Sequence, residues 1–369
     1  MLAQGLISVF VAVLLFQSGY SIGQIVWYYF FFYLFDIPLN YVSFYLVKIL
    51  GARKVIILAV IAKICFFIVL ASISRGSAFI TLALLAILDA TYDTFYYISH
   101  FFIFMKTDSS EDTRVHTGIL YAVQRFAGFL GPAVGALLLI FVSESALIYA
   151  VIALFVFSLV PLLRLKNFDD KPKLDTLRFR DIGKVARQSF YSIALWGIHG
   201  KVENDLIPLF IFVVIGTIES VAVIPMLISA TAIVMSYIIG KTKYTFSELI
   251  VRVAPLVLVV WILRIFIAHN VFYYISIIVV SFASLLISIP IDSEIFKIGK
   301  QHHPLTVALY RNLLNMIGGT ILFGILIVMI NIFHTSFAIA AVAILGLIML
   351  NSIILMKKKS LTNIQNTEV

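Results

Sequence analysis

The sequence predicts an all-α polytopic membrane protein, with twelve transmembrane helices arranged as two six-helix halves. Three observations lead there. Apolar runs of about 20 residues, long enough to cross a bilayer as helices, recur along a chain that is 62% hydrophobic and 12% charged. Lys and Arg gather in alternate loops. The two halves of the chain also match each other weakly at a fixed offset. A soluble domain carries about 25% charged residues, so the composition alone sets this chain apart from that class.

The spans are expected at about 1–17, 22–47, 55–73, 78–104, 117–141, 145–163, 190–215, 220–240, 248–268, 271–290, 305–330 and 336–356. The loops between them are short apart from 164–187, RLKNFDDKPKLDTLRFRDIGKVAR, a charged linker. It divides the chain into an N-terminal half, 1–163, and a C-terminal half with a short tail, 188–369. Twenty Lys and Arg lie in the loops of one side, from Lys48, Arg53 and Lys54 through to Lys357, Lys358 and Lys359; the other side holds Arg75 alone. Such a bias marks the basic side as cytoplasmic. Both termini and the linker then face the cytoplasm of a multi-pass protein in the plasma or inner membrane. The net charge of +9 is accounted for as a topology signal, and nucleic acid is not expected as a partner. Cys65, the only cysteine, excludes an intrachain disulfide and reads as a small hydrophobe.

Helix 1, MLAQGLISVFVAVLLFQSG, has the length of a signal-peptide core but no basic n-region, and is read as a span. Helix 2 carries WYYFFFYLF at 27–35, an aromatic belt at the membrane interface or the wall of an apolar cavity. It also carries an acid at depth, Asp36, just before Pro38. Helix 3 holds Lys63. Helix 4 contains LDATYDTFYYISH. At 100° per residue Asp89, Asp93, Tyr96 and His100 form one narrow stripe. Burying an Asp at the bilayer centre costs roughly 2.5–3.5 kcal/mol, so the stripe is expected to face a central cavity.

Helix 5 offers the neighbouring cation, Arg125, on the face of Tyr121, Gly128 and Pro132. The expectation is that Arg125 pairs with one aspartate and leaves the other free to exchange a proton; Lys63 is a second candidate. Carboxylates held close together resist both being ionised. A static network that positions helices 4 and 5 is the alternative. His100 is read as an interfacial residue or a proton relay. The seven histidines show no metal-ligand spacing, so neither metal nor cofactor is expected. Helix 7 carries WGIHGKVENDLIP, where Gly197, Gly200 and Pro208 weaken the helix and Lys201 and Asp205, spaced i,i+4, are expected to pair. A broken helix serves binding sites in transporters, and filling a wet interface is the other reading. Arg264, near the outer end of helix 9, is expected to snorkel. Arg311, Asn312 and Asn315 stand at the entrance of helix 11, Arg311 as a substrate contact or a topology charge. The cavity candidates are thus Tyr96, His100, Tyr121, Lys201, Asp205, Arg311 and Asn315, with Asp89, Asp93, Arg125 and Asp36 for proton coupling.

The repeat matches Gly51 and Lys54 with Gly240 and Lys243, then Thr117, Leu120 and Tyr121 with Thr306, Leu309 and Tyr310, and Gly135 with Gly324. Parallel repeats of this kind build transporters. Aligning QSGYSIG with IGTIESV sets Met1 opposite about residue 199, so helix 1 is expected to lack the first turns that helix 7 has, which leaves an upstream start open.

Six plus six helices, a basic central linker and a basic turn between helices 2 and 3 resemble the major facilitator superfamily over essentially the whole chain. The family's helix 2–3 motif runs roughly G-x-x-x-D-R-x-G-R-K. Here Gly51, Arg53 and Lys54 in FYLVKILGARK fit it, with Lys48 where the family has Asp and Phe44 for the leading Gly. Its helix 5 antiporter motif, G-x8-G-x3-G-P-x-x-G-G, falls on Gly118, Ala127, Gly131, Pro132, Gly135 and Ala136. Small residues let helices approach and Pro bends them, so packing alone asks for the same set. The resemblance implies a monomeric secondary transporter that carries a small molecule, with protons, by alternating access and leans toward export. A proton-coupled uptake permease for a small polar solute is the alternative. Against a membrane enzyme stand outer loops of a few residues and no Gly-rich phosphate loop. A transport-inactive sensor or assembly protein is the remaining class: the eroded loop motif favours it, and the retained intramembrane charges oppose it.

Overall fold

The computed structural model describes residues 2–73, 78–107, 113–164, 184–240, 246–267, 269–301 and 303–367. Over these the chain forms twelve successive helical segments. They are α1 Leu2–Gln17, α2 Ile22–Leu50, α3 Ala52–Ala71, α4 Phe79–Thr107, α5 Thr113–Phe141, α6 Glu144–Arg164, α7 184–215, α8 Ile218–Gly240, α9 Phe246–Phe266, α10 Asn270–Gln301, α11 Pro304–Ile327 and α12 Ile332–Thr367. Among the described residues nine are long and apolar enough to cross a membrane, and α1 and 218–230 of α8 are shorter apolar helices. The remaining segment, α7, is polar at its middle. The order of spans matches the sequence reading, and most ends lie within a few residues of it. The largest departures are α10 and α12. α10 runs 11 residues past the expected end at 290, because PIDSEIFKIGKQ continues the helix with an acid inside it, and α12 likewise runs 11 residues past its expected end at 356. Most of the expected linker, 165–183, lies outside the described residues.

Local chemistry explains several boundaries. Ser21 and Gln24 form a reciprocal capping box at the start of α2. Gly51, at φ 88°, makes the tight α2–α3 turn that a side chain would strain. Arg53 Nη2 donates to the Leu163 carbonyl at the end of α6, 3.0 Å away, answering a helix C-terminus with a cation. Gly51 and Arg53 of the loop motif thus have structural partners, and Lys54 is exposed. Lys241 and Lys243 of its second copy lie outside the described residues.

α1 packs on α5 and α6, α2 on α4, and α3 on α4 and α6. In the second half α7 packs on α11 and α12, α9 on α10 and α12, and α8 on α10. The halves meet where α5 crosses α8, α2 crosses α11, and α4 and α5 touch α10. The small residues of α5 belong to this packing. A Cβ on Gly131 would come within 2.5 Å of the Gly5 carbonyl carbon, and one on Gly5 within 2.9 Å of the Ala127 carbonyl oxygen. Gly135 presses on Leu6 in the same way, and Pro132 is buried beside them. The corresponding α7–α11 crossing of the second half also rests on glycines, Gly197 against Asn315 and Gly318 against Ala194 and Ile198. Each half therefore joins its first and fifth helices by close approach.

Among the described residues two helices break their regular winding. α1 tightens to a 3-10 turn at Ser8–Phe10. α7 widens to a π turn at Val202–Leu206, just before Pro208. Pro208 has no N–H to bond the Asn204 carbonyl, and its ring crowds that oxygen; a wider turn relieves both. Asn204 turns its own side-chain amide back to the Gly200 carbonyl at 2.7 Å. The weakening expected from Pro208 is present, in the form of a bulge within a continuous helix.

Candidate functional site

Between the halves lies a cavity of about 600 Å³. Both irregular turns front it: Ser8 and Val9 from α1, and Lys201, Glu203, Asn204 and Asp205 from α7. α4 contributes Asp89, Asp93, Tyr97 and Phe101, α5 Tyr121 and Gln124, and α11 Arg311, Asn312 and Asn315. The cavity face of α4 follows the i,i+4 ridge, which drifts by about 40° per step on a helix. It therefore passes through Tyr97 and Phe101 and away from the expected stripe. Tyr96 and His100 are not on the cavity wall; Tyr96 stacks between Tyr92, at an interplanar angle of 19°, and His100, at 9°. His100 Nε2 is buried without a hydrogen bond.

Among the described residues three acids have tight cationic partners. Asp89 pairs with Lys63 and accepts from the Tyr28 hydroxyl at 2.7 Å. Lys63 is 1% exposed and lies against the rings of Phe66, Phe67 and Tyr92. Of the two candidate cations, Lys63 reaches Asp89, because α3 crosses α4 beside it. The Arg125 side chain lies outside the described residues. Glu203 takes a two-pronged bond from Arg264, at 2.6 and 3.2 Å. Arg264 Nε also donates to Ser276 Oγ at 2.8 Å, and its guanidinium lies over Trp261. Arg264 is 1% exposed. It faces the bundle interior and does not snorkel, because a charged partner awaits it there. Asp292 takes two bonds from Arg311, both 2.9 Å, and one from the Tyr121 hydroxyl of the other half at 2.5 Å. Arg311 stacks over Phe101, 4.0 Å from the ring centre. Tyr121 and Arg311 are thus brought together by an acid that the sequence reading passed over.

Lys201 and Asp205 do not form the expected pair. Tyr33 of α2 stands between them. Its hydroxyl donates to Asp205 at 2.5 Å, and Lys201 Nζ sits over its ring at 4.8 Å, with Met316 Sδ at 3.9 Å as a further contact. Asp36 is buried. Its side chain receives a long bond from Asn40 Nδ2, which also donates to the Asp36 carbonyl at 2.7 Å, and Asp36 Oδ2 has no partner. Asn40 in turn accepts from Asn312 across the halves at 3.0 Å. Asp93 lines the cavity and carries no hydrogen bond or ion pair with a described residue.

The aromatic run of α2 divides by face. Tyr28, Tyr29, Phe32 and Tyr33 line the cavity, whereas Trp27, Phe30 and Phe31 cluster with one another and Trp27 and Phe31 also with Phe79. Contacts between the halves lie on both sides of the cavity. Toward the loop 18–21, Phe16 meets Phe212 and Tyr29 stacks on Phe323, 5.0 Å between centres. Toward the opposite end, Phe104 meets Phe296, and Lys300 Nζ donates to Thr113 Oγ1 at 3.1 Å.

No protein-family model matches the sequence, and no curated protein matches it. Solved structures do match. The human organic anion transporter MFSD10 (TETRAN) aligns with a TM-score of 0.62 at 14% identity, over 92% of this chain and 88% of its own. The E. coli fucose:proton symporter FucP aligns with a TM-score of 0.62 at 12% identity, over 95% of each chain. Twelve helical segments among the described residues, a cavity between two packed groups and these two likenesses agree on the architecture: the chain shares the fold of these two transporters.

Proposed function

We propose that the protein is a secondary transporter that moves a small solute across the cytoplasmic membrane by alternating access, coupled to protons. In this reading the halves 1–163 and 188–369 rock about the cavity, both termini face the cytoplasm, and the working unit is a monomer. The observation that carries it is Asp93, a carboxylate at membrane depth that faces the cavity with no described partner. A lone carboxylate there is expensive. A proton or a bound solute that relieves it in turn supplies the exchange that coupling requires. Asp89, already answered by Lys63 and Tyr28, supports the wall in this mechanism, and Asp36 lies behind it. Contacts between the halves stand at both ends of the cavity, a placement that suits alternate opening by rigid-body movement.

Export is the direction the helix 5 resemblance favours. Uptake of a polar solute is the second reading, supported by Gln4, Gln124, Asn204 and Asn315 on the cavity wall. Proteoliposomes holding a trapped pH dye separate these. Adding a transported solute should move protons in the native protein and move none in Asp93→Asn. Protons that enter with the solute indicate symport, and protons that leave against it indicate exchange. Solute flux without proton movement would exclude coupling, and a folded protein that passes no solute would place it in the sensor or assembly class.

A further inference from the structure

The charges of the cavity do not cancel. Asp89, Glu203 and Asp292 are matched one to one by Lys63, Arg264 and Arg311. Asp93 and Asp205 on the wall, and Asp36 buried behind it, are left with one cation among the described residues, Lys201. Among the described residues the excess is two carboxylates.

Lys201 shows how this chamber holds a cation. Its ammonium makes no ion pair with a described carboxylate. It rests on the Tyr33 ring and a thioether while Asp205, Asp93 and Asp36 act on it through space. Aromatic faces and diffuse negative charge solvate it. The same two ingredients continue past Lys201 to Asp93, with Tyr29, Phe32, Tyr97 and Trp196 on the surrounding wall. Ring faces attract cations and are indifferent or repulsive to anions, and about 600 Å³ accommodates an ordinary small molecule.

We propose that the solute is a small organic cation, an amine with an apolar or aromatic body, whose positive group binds Asp93 and whose body lies on the aromatic wall. This rests on the transporter reading for its physiological role, but not for the binding itself. In the filled state Lys201 and the bound cation share one set of acids, so Lys201 weakens binding through like charge.

The test is ligand-dependent thermal stabilisation of the purified full chain, with phenethylamine and tetraethylammonium as cations, phenethyl alcohol and L-fucose as neutral probes, and hydrocinnamate as the anion. The cations should stabilise the native protein and the others should not. Asp93→Asn should weaken cation binding by about ten- to hundredfold, the worth of a charge-assisted contact. Asp93→Glu, which keeps the charge, should retain most of it. Lys201→Met should tighten it severalfold; an anion-binding site would instead lose its ligand in that variant. Stabilisation by hydrocinnamate or by the neutral probes at least as strong as by the amines overturns the proposal, as does cation binding untouched by Asp93→Asn or no cation binding at millimolar concentration. Amine binding that depends on Asp93, without amine flux in proteoliposomes, sustains the site and sinks the transporter reading. Flux of L-fucose without amine binding does the reverse.

Discussion

Glu203 and Asp93 line one cavity from opposite halves, yet only Glu203 has its charge answered. Glu203 is gripped by both arms of Arg264, which is itself fixed by Ser276 and Trp261. Asp93, from α4, meets no hydrogen-bond partner among the described residues. Asp292 resembles Glu203, with a bidentate arginine and a tyrosine. Planar, bidentate pairs hold a geometry. A carboxylate without one is free to exchange what it binds. Glu203 and Asp292 of the C-terminal half are thus fixed struts, and Asp93 of α4 is the variable charge in this account.

The contrast predicts an order of mutational costs. Arg264→Met strands a buried carboxylate and should cost about 3–5 kcal/mol of stability, seen as a lowered unfolding temperature in detergent. Replacing Glu203 with Met as well should recover most of that loss. A single variant as stable as the native protein would remove the strut reading. Asp89→Asn leaves Lys63 without its carboxylate and should cost about 2–3 kcal/mol, relieved when Lys63 is changed to Met in the same chain. Tyr121→Phe removes one bond to Asp292 and leaves its arginine in place, for about 1–2 kcal/mol. Because that bond joins the halves, the variant should also speed maleimide labelling of a Met105→Cys probe, which packs against Gly299. Unchanged labelling would show that the bond does not hold that end shut. Asp93→Asn should be the mildest, within about 0.5 kcal/mol, while removing proton movement. An effect on folding as large as that of Arg264→Met would erase the distinction between the two acids.

The spans, their order and the placing of Asp89 and Asp93 on a cavity are legible in the sequence, because burying charge in a bilayer is costly and leaves a visible signature, whereas Arg311 reads there as a substrate contact or a topology charge. Partner choice is not legible there. Lys63 and Arg125 lie on helices that both neighbour α4 in the chain, and nothing in one sequence fixes how a helix is rotated about its axis. Rotation also decided that Tyr97 and Phe101, rather than Tyr96 and His100, face the cavity. Asp292 was missed for a different reason. The apolar run reads as complete at residue 290, so Asp292, two residues later, falls outside the expected span. The signal was there in IPIDSE, a Pro and an acid continuing an apolar helix, with Arg311 ahead on the next. Glu203 lay within a segment singled out for its polarity, but i,i+4 spacing directed attention to Lys201 and Asp205, and Tyr33 from another helix came between them. Local spacing proposes pairs; packing chooses among them.

The central claim is that Asp93 is the acid that gains and loses a proton as the protein works. Infrared difference spectroscopy of the reconstituted protein, stepped in pH, addresses it directly through the carbonyl stretch of protonated carboxyl groups. The account predicts a titrating carboxyl band that vanishes in Asp93→Asn and persists, shifted, in Asp89→Asn. A band that survives intact in Asp93→Asn and disappears in Asp89→Asn or Asp36→Asn would contradict it and move the coupling site to that residue.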